Sequence, residues 1–164
     1  MANKLTYNSS FIEIGWSLRE TLDEIKLNGE TIQLKFDMLL KYGRILFLEG
    51  NFDEAYQIFQ QCSNHALDNG IPEVKELYFW TSRCLEEQGK KERALNIYLM
   101  LLDRDRFINN DEEFVNAVLD RLLLFGDIQS LVIDYKTRRD EELLNPKDLL
   151  GIVIKFLKES NEPK

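Results

Sequence analysis

The sequence predicts an all-helical protein made of repeated helical hairpins. Three observations carry this expectation. The stretch "EGNFDEAYQIF" aligns with "QGKKERALNIY" and more loosely with "FGDIQSLVIDY". The glycines of these segments, Gly50, Gly89 and Gly126, lie 39 and then 37 residues apart. Apolar residues before each glycine recur at offsets of three, four and seven, the period of one helix face. A repeat of this length marks stacked units that bury their faces against their neighbours.

Composition fits such a protein. The chain has 164 residues, with 44% apolar and 30% charged side chains, enough for a sizeable core. Three prolines and eight glycines leave long stretches uninterrupted. The 29 acidic residues outnumber the 21 basic ones, for a formal charge of −8. No run of Lys or Arg exceeds a pair, so neither nucleic acid nor an anionic membrane surface is the expected partner. The N-terminal segment has no basic region followed by a long apolar run. A cytoplasmic setting with Cys62 and Cys84 as reduced thiols is expected.

The elements follow in order. "SFIEIGWSLRETLDEIKLNG" puts Phe11, Ile14, Leu18, Leu22 and Ile25 on one stripe and predicts a helix over 10–27. In the first repeat, over 31–69, Leu39, Tyr42, Gly43 and Leu46 form a packing stripe. Gly50 ends that helix, because glycine enters the left-handed region without strain. Ala55 and Phe59 then face the partner helix. The small residue permits a close approach and the aromatic fills the space beside it. The second repeat, over 72–106, carries Tyr78, Thr81, Ser82 and Leu85, then Gly89, Ala94 and Tyr98. Pro72 is expected to open its first helix. The third, over 111–144, carries Val115, Val118, Leu119 and Leu122, then Gly126, Leu131 and Tyr135. "NPKDLLGIVIKFLKES" predicts a last helix over 147–159, with Asn145 as cap, Pro146 in the first turn and Asp148 near the positive end. Eight helices are expected, over 10–27, 31–49, 52–68, 72–88, 91–104, 111–125, 128–143 and 147–159, and no strand.

The spacing Leu39-x2-Tyr42-Gly43-x2-Leu46, followed by Ala55-x3-Phe59, resembles the tetratricopeptide repeat. The second unit is similar, with Ser82 in the small-residue slot and Ala94-x3-Tyr98. The third departs, since Leu119 and Leu131 fill both slots that take small residues, and that pair is expected to be splayed or rotated. The family repeat runs to about 34 residues. The longer first unit resembles the long-helix repeats of bacterial regulator proteins. The resemblance implies a single domain over 1–164: a right-handed α–α superhelix of about three hairpins, with an extra helix at each end.

Catalytic and metal-binding patterns are sparse. His65 is the one histidine, and Cys62 precedes it by three residues, which admits a Cys–His nucleophile pair. The competing reading makes Cys62 a small core residue and His65 a partly exposed neighbour. Two cysteines do not supply a four-ligand zinc site. "DRDRFINNDEE" over 103–113 alternates acids as a calcium loop does. It lacks the central glycine, and Phe114 stands where the bidentate Glu belongs, so a solvated loop is expected there. No glycine-rich phosphate loop occurs. No enzyme, cofactor or metal is expected.

The resemblance implies that the first helix of each pair lines a concave groove. The lining residues include Asp37, Leu40, Arg44 and Phe47, then Glu76, Phe79, Arg83 and Glu86, then Asn116, Asp120 and Leu123. Arg44 and Arg83 hold equivalent places. Beside Phe47 and Phe79 in an acidic protein, they suggest a site for an extended peptide bearing a carboxylate. The alternative is that both arginines pair with Asp37, Glu76 or Asp120. Leu40 and Arg44 stand where family members that grip C-terminal carboxylates carry Lys and Asn. The partner-binding set is thus Leu40, Arg44, Phe47, Phe79, Arg83 and Asp120. The expected function is a non-catalytic adaptor or scaffold that binds a peptide or protein segment. The alternative is a secretion chaperone of the type III translocator-chaperone kind. The last helix is apolar over more than half its circumference. It is therefore either wedged into the final groove or joined to a partner or second copy, giving a homodimer.

Overall fold

The computed structural model describes residues 29–142 and 145–161. The described residues form eight helices and no strand. The helix expected over 10–27 lies outside them. The chain divides into two compact units between Gln88 and Gly89.

The first unit holds α1 (Gly29–Leu48), α2 (Phe52–Asp68) and α3 (Lys75–Glu87). The α1 stripe buries Phe36, Leu39, Tyr42, Gly43, Leu46 and Phe47. It packs against Ala55, Ile58, Phe59, Cys62 and Ala66 of α2, and Leu77 and Cys84 of α3 join the same core. Gly43 and Phe59 interlock: a Cβ on Gly43 would lie 2.7 Å from Phe59 Cδ1. Gly50 has φ +85. Around it Asn51 N–H donates to Leu46 O (2.9 Å) and Gly50 N–H to Phe47 O (3.0 Å). These two bonds are a Schellman cap, which closes α1 and turns the chain into α2.

A second such cap corrects one expectation. Gly70 has φ +68, and Ile71 N–H donates to Ala66 O at 2.9 Å. Ile71 and Val74 then pack partly buried against the core. This holds the connection extended, with Val74 as N-cap at φ −115, ψ 120. Helix α3 therefore opens at Lys75, not at Pro72.

The second unit holds α4 (Lys91–Asp103), α5 (Asp105–Ile108), α6 (Glu112–Leu122), α7 (Gln129–Glu142) and α8 (Lys147–Asn161). Helix α4 packs against α5, α6 and α8, and α7 packs against α6 and α8. The core includes Ala94, Tyr98, Leu101, Val115, Leu119, Leu122, Val132, Tyr135, Leu149 and Val153. The segment expected as a solvated loop contains α5, whose Phe107 and Ile108 are buried. Asp111 caps α6 by accepting from Phe114 N–H (3.0 Å). Asp105 pairs with Lys147 (2.9 Å), and that contact holds the lysine above its ordinary pKa.

The third pair departs from the register of the first, as its large residues imply. Gly126 is not left-handed, and α6 ends at Leu122, three residues before the expected end. Phe125 is buried and meets Tyr98 edge-on at 6.2 Å. Ile128, just before α7, and Val132 and Tyr135 on it are buried, while Leu131 is half-buried. Tyr135 keeps its expected inward place, and Val132 replaces Leu131 as the buried residue beside it, since leucine is larger than the alanine of the other two units.

Helix α8 opens as expected. Asn145 Oδ1 accepts from Lys147 N–H (3.0 Å), and Asp148 Oδ2 accepts from Asn145 N–H (3.1 Å). This reciprocal pair is a capping box in kind. Leu149 and Val153 are fully buried; Ile154 is 41% exposed. Among the described residues no helix is long and apolar enough to cross a membrane.

Candidate functional site: an arginine–aromatic ladder on the first unit

Helices α1 and α3 are joined through their side chains by an alternating ladder. Arg44 of α1 is exposed and lays its guanidinium over the Trp80 ring of α3, 5.4 Å from the centroid. Arg83 of α3 lies over the Phe47 ring of α1 at 5.0 Å. The two rings meet edge-on at 5.3 Å. Phe52 and Phe79 extend the cluster, Phe52 against Phe47 at 5.1 Å and Phe79 against Trp80 at 6.0 Å. A cation over an aromatic face contributes about 0.5–1 kcal/mol when exposed and more when desolvated. The rings therefore fix the two guanidinium planes in place. A planar group fixed in this way loses less entropy when it grips a carboxylate.

Five of the six expected site residues are in this unit. Arg44, Phe47, Phe79 and Arg83 belong to the ladder, and Leu40 is half-buried one turn before Arg44, packed against the core. Asp120 belongs to the second unit, where it accepts from Lys136 at 3.0 Å. Among the described residues neither arginine pairs with Asp37, Glu76 or Asp120. Arg83 has a nearby carboxylate, Glu86, at 3.9 Å. Each arginine covers a ring of the other helix, and the two rings touch. Trp80 was absent from the expected set. Its signal was there: it adjoins Phe79 and lies one turn before Arg83, where a second ring can meet a guanidinium from α1.

The cysteine–histidine pair is built for packing. Cys62 is fully buried and its thiol points at Phe36 O (3.6 Å). Burial, helped by the negative charge of Asp37, pushes that thiol up to about 12. A thiolate nucleophile needs the opposite shift. His65 is also buried, not partly exposed. Its Nε2 donates to Ile32 O (2.8 Å), and its Nδ1 accepts from Asn69 Nδ2 (3.2 Å). The Nε2 bond ties the end of α2 to the start of α1, and the Nδ1 bond holds the ring to Asn69, the C-cap of α2.

The second unit has a cleft of about 460 Å³ lined by Lys91, Leu95, Leu124, Phe125, Asp127 and Leu157. No expected site residue lines it.

The model of the tetratricopeptide repeat matches residues 37–65 and 76–105. No curated protein and no solved structure matches the chain. The first matched segment begins at Asp37 on α1 and ends at His65 on α2, and the second runs from Glu76 on α3 to Asp105. Over these two segments the chain is similar to the tetratricopeptide repeat, and such repeats are in general protein-interaction modules.

Proposed function

We propose that this protein is a non-catalytic adaptor whose first unit binds a carboxylate-bearing segment of another protein on the α1–α3 face. The observation that carries the reading is the pair of guanidinium groups laid on Trp80 and Phe47. In a chain of net charge −8, two arginines placed together on one face and braced by rings suit a carboxylate-bearing ligand. The half-buried Trp80, Phe79 and Leu40 supply apolar contact beside the charge, as peptide grooves commonly do.

The test compares capture by the parent protein and by an Arg44→Glu, Arg83→Glu variant. Both are immobilised, exposed to a soluble protein extract, and the bound proteins are quantified by mass spectrometry. The reading expects a set of proteins that is retained by the parent and lost from the variant, with helicity by circular dichroism unchanged. The same set bound equally by both would place binding elsewhere.

A further inference from the structure

Seven residues make about two turns of α-helix, so positions i and i+7 share one face about 10 Å apart. On α1, Asp37 and Arg44 are separated by this interval. On α3, Glu76 and Arg83 are separated by the same interval. All four lie on faces turned away from the buried stripes of their helices. Asp37, Glu76 and Arg44 are exposed, and the Arg83 side chain is 24% exposed. Between acid and base each helix places an apolar residue, Leu40 on α1 and Phe79 on α3, both half-buried. The two helices thus carry the same order of chemistry from their N-terminal ends: acid, apolar, arginine.

The bonds already made leave this order in force. Asp37 accepts from Gln33 Nε2 (3.0 Å), a neutral donor that leaves its charge uncompensated. Glu86 lies 3.9 Å from Arg83, beyond hydrogen-bond range, and offsets only part of the positive row. Arg44 has no carboxylate partner among the described residues, and its guanidinium rests on Trp80. A wholly acidic ligand long enough to cover the face would set its own charge against Asp37 and Glu76. Like charges placed together across an interface cost affinity and exclude that ligand.

We infer that the segment recognised by the α1–α3 face is charge-segmented: basic side chains over Asp37 and Glu76, an apolar anchor over Leu40 and Phe79, and acidic side chains over Arg44 and Arg83. This rests on the reading of that face as the binding site and adds a second, opposite charge requirement to it. The interval of about 10 Å is spanned by roughly three residues of extended chain or seven of helix. A basic and an acidic side chain at one of those separations, flanking an apolar one, is the pattern required. The arginine row alone would supply attraction; the acidic row supplies register and direction.

A random-peptide display library, selected on the immobilised full chain, tests this. Parallel selections use the Arg44→Glu, Arg83→Glu variant and an Asp37→Lys, Glu76→Lys variant, each first shown by circular dichroism to keep parental helicity. The expected result is enrichment of peptides with basic, apolar and acidic positions at a fixed spacing. The acidic position should disappear with the arginine variant and the basic position with the lysine variant. A peptide chosen on the parent should bind the lysine variant at least about tenfold more weakly by fluorescence anisotropy. Enriched peptides that are acidic and arginine-dependent, but carry no basic position and bind the lysine variant unchanged, would overturn the inference and leave the arginine site standing. Enrichment that ignores the arginines, or no enrichment at all, would overturn both.

Discussion

The α1–α2 hairpin and the α6–α7 hairpin occupy the same place in the repeat and solve the same packing problem differently. In the first, Gly43 removes a side chain so that Phe59 can enter, and Ala55 is fully buried beside it. In the second, Leu119 is fully buried where a small residue is expected, and Val132, not Leu131, is buried beside Tyr135. Small residues allow the helices to meet at one defined register. With large residues at both slots, the smaller Val132 is the one buried and Leu131 is left half in water. The family model matches the first arrangement and not residues 111–144, as expected if its pattern depends on those small slots.

The largest effects should come from core substitutions that probe the two registers. Phe59→Ala empties the space that Gly43 leaves open and should cost about 3–5 kcal/mol. Gly43→Ala sets a methyl against a ring that cannot withdraw, and should cost about 1–3 kcal/mol less whatever alanine gains in helix propensity. In the other hairpin, Val132→Asp buries a carboxylate and should be severe, whereas Leu131→Asp leaves it half in water and should be mild. Chemical denaturation of each variant gives the comparison. Greater loss at Leu131 than at Val132 would return α7 to the register of the first hairpin.

The sequence made the first hairpin legible and the second only in outline, for the same physical reason. Leu39, Tyr42, Gly43, Leu46, Ala55 and Phe59 all face the core where spacing placed them. On α7 the spacing pointed to Leu131, because period alone does not say which of two adjacent apolar residues turns inward. Pro72 misled because a proline favours a first turn, while the Gly70 cap and the packing of Ile71 and Val74 held the chain extended past it. Helix α5 was missed because four residues are too few to display a period. At the site, the two arginines were readable as equivalent repeat positions, and the two phenylalanines as lining residues of the first helix of each pair. Their actual partners were not, since the offset between α1 and α3 sets which ring each guanidinium covers. That offset brought in Trp80.

A smaller effect separates the glycine turns. Gly50 and Gly89 have φ +85 and +77, where any other residue is strained. Alanine at either should lower stability by about 1–2 kcal/mol. Gly126 is not in that region, and a Cβ there meets nothing within 4 Å. Gly126→Ala should therefore raise stability by about 0.4–1 kcal/mol, by narrowing the unfolded ensemble. Thermal melts that rank all three alike would mean that the third turn has the geometry of the others.

The smallest effect distinguishes the two units by their buried acids and is visible only at high pH. In the first unit, burial raises Cys62 and Cys84 from the ordinary thiol value of 9.0 to about 12; for Cys84, Arg83 opposes part of the rise. In the second, burial raises Tyr135 from 10.0 to about 12, with Arg139 opposing. In each case the folded state holds its proton longer than the unfolded chain does. The stabilisation is complete below the unfolded value and declines as pH rises toward the folded one. The first unit should therefore begin to weaken near pH 9.0, and the second near pH 10.0. Replacing both cysteines by alanine should reduce the loss that begins near the thiol value, as followed by circular dichroism across an alkaline titration. Tyr135→Phe should reduce the later loss and remain near-neutral or slightly stabilising at neutral pH, because the Tyr135 hydroxyl is buried with no hydrogen-bond partner among the described residues. Rapid labelling of either cysteine by a thiol reagent in the folded protein at neutral pH would show an accessible thiolate and remove the alkaline term assigned to the first unit.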